Sequence, residues 1–303
     1  MIRIQRDLLA WYRRHGRSDL PWRAVRDPYY TLVSEFMLQQ TQVDRVVPKF
    51  NEFIQRFASI ESLAAASTGD VLRLWQGLGY NSRAVRLLEV AVAVCERFAG
   101  TIPRDLDALR LLPGIGPYTA AAIAAFGYDE RVAPIDTNIR RIVHRLFFGV
   151  EHPVVASPRE LDERASALVP ESGGHDWSSA MMDLGSMVCT ARAPKCLICP
   201  LQTHCAAAPL DRSALDELRR RHAKKASPQN AIPFEATTRF ARGRIVDRLR
   251  MLLPGQRISL LDLHADLRPV LANRTVKEVE ELVAILERDG LVARDGANIG
   301  LRE

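Results

Sequence analysis

The chain has 303 residues, 47% of them hydrophobic, with 42 basic against 36 acidic side chains and a formal net charge of +6. That length predicts two or three domains, and the hydrophobic share is ample for buried cores, while the small basic surplus leans toward a polyanion partner. No uninterrupted apolar run reaches the roughly 18 residues of a membrane span, and the N-terminus lacks the apolar core of a signal peptide, so a cytoplasmic protein with no membrane contact is expected.

The pattern is helical almost throughout. Ile4, Leu8, Leu9, Trp11 and Tyr12 mark one face of a first helix, which Gly16 is expected to end. Pro28-Tyr-Tyr-Thr-Leu-Val-Ser-Glu35 leads into a second. Ala- and Leu-rich segments follow, broken at Gly77-Leu-Gly79, Gly100 and Pro113-Gly-Ile-Gly116. Leu112-Pro-Gly-Ile-Gly-Pro-Tyr-Thr119 sits between helical segments at 105–111 and 117–126, a helix-hairpin-helix pattern. Its glycines allow a tight turn with positive φ, and Pro117 suits a first helical position. The Gly114 and Gly116 N–H groups would then point outward at a helix N-terminus, where a DNA phosphate docks whatever the base sequence. An ordinary turn between helices is the plainer alternative.

Asp136, in Ala133-Pro-Ile-Asp-Thr-Asn138, precedes the next helical run and is placed as its N-cap. A carboxylate at the positive end of a helix is kept ionised, the state that a developing sugar cation needs. Further on, Cys189, Cys196, Cys199 and Cys205 form C-x6-C-x2-C-x5-C. Four thiolates so close together can wrap one metal centre. The long first interval and tight middle one suit an iron–sulfur cluster better than the paired arms of a zinc ribbon, and disulfides need an oxidising compartment. Cys95, in an apolar run, reads as an inert buried thiol.

A basic, Pro-containing linker is expected over 219–236. Beyond it come three helical patterns, near 240–253, 259–267 and 275–289, and a hairpin of 291–294 with 298–301 around Asp295-Gly296. That order is winged-helix-like, and the third helix opens on the capping-box pattern Thr275-Val-Lys-Glu278. This third helix is acidic (Glu278, Glu280, Glu281, Glu287, Asp289), whereas Arg239, Arg242, Arg244, Arg248 and Arg250 gather on the first. The tail is therefore expected to touch DNA through its first helix, or to bind a protein partner.

The hairpin, the downstream aspartate and the four cysteines, in this order, resemble the helix-hairpin-helix DNA glycosylases with a [4Fe–4S] cluster, the endonuclease III superfamily. Leu20-Pro-Trp22-Arg23, Ser34-Glu35-Phe-Met-Leu-Gln39-Gln40-Thr-Gln-Val43, Trp75-Gln-Gly-Leu-Gly-Tyr80 and Met181-Met-Asp-Leu-Gly185 are similar to the MutY-like adenine branch over about residues 5–210. The resemblance implies a mainly α, two-lobed fold. Residues 1–22 and 131–218 would form the cluster domain, 23–130 a helical barrel with the hairpin, and 237–303 the winged-helix-like domain. It implies a monomeric, monofunctional base-excision enzyme that hydrolyses the N-glycosidic bond of adenine opposite 8-oxoguanine or guanine in double-stranded DNA.

The resemblance also implies roles for residues. Glu35 would protonate the adenine and Asp136 would stabilise the oxocarbenium-like state, with Tyr118 and Asn138 supporting them. Gln39 and Tyr80 would wedge into the duplex so that the base swings out, beside Trp22, Arg23, Gln40, Gly114 and Gly116 on the DNA side. Arg192 and Lys195 in the cysteine loop would meet backbone phosphates. Tyr118 stands where the bifunctional relatives carry a Schiff-base lysine and cannot form an imine. Two departures remain. No counterpart of the usual Nudix-like lesion-reading domain is expected, and Ser179 replaces the longer Gln or Glu that would reach the adenine edge. Excision of thymine or uracil opposite guanine, or of a damaged purine, and a non-catalytic cluster protein that binds DNA or senses redox state are the competing readings.

Overall fold

The computed structural model describes residues 1–151, 155–223, 232–271 and 274–303. They form two compact units, Met1–Glu35 with Ile102–Leu111 and Ile115–Ala226, and Phe36–Thr101 with Leu112–Gly114 and Ser227–Glu303.

In the first unit, helices Ile2–His15, Thr137–Phe147, Pro158–Leu168 and Gly174–Asp183 close around Leu8, Val143, Leu168 and Ala180, all buried to within 0% exposure. Each fully buried Leu contributes roughly 2 kcal/mol. The first helix follows the expected face, with Ile4, Leu8, Trp11 and Tyr12 inward. Gly16 ends it in extended rather than left-handed geometry, its N–H donating to the Tyr12 carbonyl. Ser157 and Glu160 form a reciprocal capping box on the Pro158–Leu168 helix. Two helices end in π-helical turns, Ile123–Gly127 and Leu184–Val188. The second turn brings Gly185 so close to Asn138 that an added Cβ would lie 2.8 Å from the Asn138 Cβ.

In the second unit, helices Val43–Arg56, Thr68–Leu74 and Ser82–Phe98 bury Phe50, Phe53, Phe57, Leu72, Trp75 and Leu87. Phe53 meets Phe57 and Trp75 edge-on at 5.0 and 6.2 Å, the geometry aromatic quadrupoles favour. The tail belongs to this unit. Helices Thr238–Arg250, Leu260–Leu267 and Val276–Arg288 pack on a three-stranded antiparallel sheet. The expected hairpin pairs Val292 with Leu301 and Asp295 with Asn298, and Gly296 takes φ +60° at its turn. A third strand, Ile258–Ser259, pairs with Ile299 and Asn298. Two residues are too short to show alternation, and the sequence reading missed it.

The expected linker is helical at its start, because the Arg212–Arg221 helix runs into it. Residues 224–231 of that stretch lie outside the described residues. Arg250, counted among the basic surface of the tail, is buried instead. It donates to the Leu72 carbonyl at 2.8 Å, to Asp247 at 2.7 Å and to the Asn81 side chain at 2.7 Å. These bonds pin the tail's first helix to the rest of its unit.

Candidate active site

Glu35 lies on the Pro28–Leu38 helix, whose other faces bury Leu32, Val33, Phe36 and Met37. Asp27 starts that helix by accepting the Tyr29 N–H at 2.7 Å. Burial first, and then the neighbouring Asp136 charge, push the Glu35 carboxyl up to about 7. A Tyr118 hydrogen bond and the Arg23 guanidinium pull the other way and lose. Burial also raises the Tyr118 phenol far above its ordinary range, with the Glu35 charge adding to it. Tyr118 therefore stays protonated and donates to Glu35. The outcome is a carboxylic acid still holding its proton near neutral pH, as a general acid requires.

Asp136 caps the Thr137–Phe147 helix. One carboxylate oxygen accepts the Asn138 and Ile139 N–H groups at 2.9 and 2.8 Å, and the other accepts the Asn138 side-chain amide at 2.7 Å. The amide oxygen of Asn138 in turn accepts from Arg141 at 2.9 Å. Arg141 also donates to the Gly185 and Cys189 carbonyls, each at 2.9 Å. A continuous chain of bonds thus runs from Asp136 to the first cysteine. Opposite charges sit close as well. Arg23 and Arg17 donate to the buried Asp183 at 2.9 and 2.6 Å. Burial alone would raise the Asp183 pKa, but the two guanidiniums outweigh it and hold the group below the usual range.

The four cysteines line one cavity, together with Arg145, Val188 and Lys195. Burial pushes the Cys199 thiol up to about 12, and the other three cysteines add repulsion. Four thiolates there need a compensating cation. No three His, Cys, Asp or Glu side chains among the described residues converge as a single-ion site. Four cysteines that share one cavity suit a cluster, in which each sulfur binds a different iron. Arg145, buried and paired with Glu151 at 2.5 Å, braces the pocket through the Thr190 and Ala191 carbonyls at 2.7 and 3.0 Å. Arg192 and Lys195 are exposed.

Several expected DNA-side residues fall in the second unit. Gln39, Gln40 and Tyr80 are exposed, and Gln40 and Tyr80 adopt φ +58° and +47°. Left-handed geometry costs a non-glycine residue roughly 1–2 kcal/mol. The sequence reading missed what holds it, Arg83, which is 5% exposed. It donates to the Phe36, Met37 and Gln39 carbonyls at 2.8, 2.8 and 2.6 Å, to those of Leu78 and Gly79 at 3.0 and 3.1 Å, and to the Thr41 hydroxyl at 3.1 Å. One guanidinium ties both strained turns together. Burial lowers its pKa to about 10, so it stays charged at neutral pH. Arg83→Lys is expected to lower unit stability by roughly 3 kcal/mol, because an ammonium cannot fork to six acceptors. Thermal unfolding and duplex affinity check this, and an unchanged melting temperature would remove the role.

In the hairpin, only Gly114 needs positive φ, at +73°, whereas Gly116 sits at −90° as N-cap of the Pro117–Ala122 helix. Trp22 is buried rather than presented to solvent. Ser179 is buried as well. It is 0% exposed on the Gly174–Asp183 helix, beside the Tyr12 hydroxyl. Cys95 is half-buried, not buried.

Residues 33–171 match the model of the HhH-GPD superfamily base excision DNA repair proteins, and residues 189–205 match the iron-sulfur binding domain of endonuclease III. The chain is 48% identical to the adenine DNA glycosylase of Mycolicibacterium smegmatis over 66% of its own length and 67% of the relative. It is 39% identical to that of Mycobacterium tuberculosis over 80% of this chain and 77% of the relative. Among solved structures, a thermostable thymine-DNA glycosylase superposes with TM-score 0.62 at 29% identity, covering 67% of this chain and 94% of that one. Endonuclease III trapped on DNA superposes with TM-score 0.56 at 20% identity, covering 71% and 95%, a likeness of fold. With a protonated acid, a capping carboxylate and a four-cysteine loop on this scaffold, the chain belongs to the adenine DNA glycosylases of the HhH-GPD base-excision repair superfamily.

Proposed function

We propose that the protein removes adenine from a mispair with 8-oxoguanine or guanine in double-stranded DNA and leaves an intact strand. The observation that carries this is the split pair of carboxyls, Glu35 raised to about 7 and Asp136 fixed by three hydrogen bonds at a helix N-terminus. In the reaction, the Glu35 proton passes to a ring nitrogen of the adenine. The C1′–N9 bond then breaks, and its electron pair leaves with the base. Asp136 faces the resulting positive charge on the sugar with an anion that needs no reorientation. Water adds at C1′ and gives up a proton, yielding an abasic site. Position 118 holds a phenol where a lyase step would need an amine, so strand cleavage does not follow. The four cysteines would hold the cluster, which would clamp the 189–205 loop.

Duplexes holding A:8-oxoguanine, A:G, T:G or U:G, treated with alkali after incubation, test the substrate. Cutting at the adenine mispairs is expected. Cutting only at T:G or U:G would overturn the adenine reading, and strand breaks without alkali would overturn the monofunctional one.

The acid also sets a pH dependence. Glu35 must carry its proton, so single-turnover excision is expected to fall as pH rises through about 7. Stability runs the same way. The folded protein holds this proton more tightly than the unfolded chain, at about 7 against 4.5, so stability decreases between these values as pH rises. A rate still rising above pH 8 would assign the proton to another group.

A further inference from the structure

On the tail side of the second unit, a cleft of about 650 Å³ opens beside Tyr80. This lies within the roughly 300–1,000 Å³ of ligand sites. Phe234, Arg239 and Arg244 come from the tail, Arg45 from the start of the Val43–Arg56 helix, and Tyr80 from a turn that Arg83 holds. Five arginines line the cleft against one aspartate. Asp247 is shared by Arg244 and Arg250, and Arg242 pairs with Asp289. Arg45 and Arg239 have no carboxylate partner among the described residues.

Aromatic faces stand at the same place. The Arg239 guanidinium lies 4.0 Å over the Tyr80 ring and 6.0 Å from that of Phe234. Tyr80 and Phe234 are 38% and 54% exposed. Arginines without counter-charges, interleaved with exposed rings, suit phosphates that alternate with bases. The tail's third helix has no such character. Its Glu280 and Glu287 pair with Arg294.

We propose that this cleft is a second DNA-binding site supplied by the tail, holding the phosphodiester backbone and one unstacked base of the strand that Tyr80 enters. It rests on the reading that Tyr80 faces the duplex. Arg45 and Arg239 take the phosphates, and Phe234 with Tyr80 supplies the stacking faces. The buried Arg250 holds the helix that presents Arg239.

The test uses full-length, cluster-loaded protein and fluorescence anisotropy on a labelled A:8-oxoguanine duplex across a salt series. Both arginines are exposed, so Arg45→Ala with Arg239→Ala leaves the core intact. The double variant is expected to bind about tenfold more weakly, with its log–log salt slope shallower by about two. Arg239→Lys is expected to keep the slope but recover affinity only in part, because an ammonium stacks poorly. Unchanged affinity and slope in the double variant overturn the proposal and leave the cleft to an acidic protein segment. Adenine release on the same duplex separates the two readings. Release with an unchanged slope sinks the cleft alone, and a shifted slope without release by the wild type sinks the substrate assignment alone.

Discussion

Glu35→Gln is expected to slow excision by about 10²- to 10⁴-fold while leaving duplex affinity within about twofold. Glutamine has the same shape as the protonated carboxyl and still accepts from Tyr118. It has no proton of suitable acidity to give. Positioned general acids contribute roughly 10²- to 10⁴-fold, and here the group is held near 7 by burial and the adjacent Asp136. Single-turnover release of adenine, measured against pH, reads the effect twice. The rate falls by that factor, and the decline above pH 7 disappears with it. A variant that keeps the rate and the decline would show that the titrating acid lies elsewhere.

Asp136→Asn is expected to lower excision by at least about 10²- to 10³-fold with a small change in melting temperature. The two consequences separate because the residue has two duties. As an N-cap, Asn is as good as Asp, so the bonds to the Asn138 and Ile139 amides survive. As the anion beside the developing sugar cation, it is lost outright, and preorganised charge of this kind is worth two to three decades in rate. One local price is foreseen. The new side-chain amide faces the Asn138 amide, which must turn, and its bond to Arg141 is then disturbed. A stability loss of roughly 1 kcal/mol is expected from that single bond. Wild-type excision by Asp136→Asn would confine Asp136 to capping.

The same bonds explain why the cysteine loop matters to chemistry it does not perform. Arg141 holds the carbonyls of Gly185 and Cys189 on one side and Asn138 on the other. Gly185 admits this approach, because a side chain there would collide with Asn138. Whatever orders the 189–205 loop therefore also orders the group that grips Asp136.

Much of this was legible in the chain itself. Helical periodicity placed the helices, because burying one face imposes a 3.6-residue rhythm that needs no tertiary knowledge. The cysteine spacing marked the cluster segment, because ligands to one centre must be close in sequence when the loop that carries them is short. Asp136 as a cap was visible for the same local reason. The tertiary structure decided what depends on distant neighbours. The raised pKa of Glu35 comes from burial and from Asp136, about a hundred positions away, against the opposing hydrogen bond of Tyr118. Arg83 looked like one more helix arginine until six acceptors from separate turns closed around it. The burial of Ser179 beside Tyr12 of the first helix was not visible in the sequence either. Arg239 meets Tyr80 across more than 150 residues of chain. Spacing along the sequence reveals only what neighbouring residues do together, whereas desolvation and long-range charge exist only once the chain has folded.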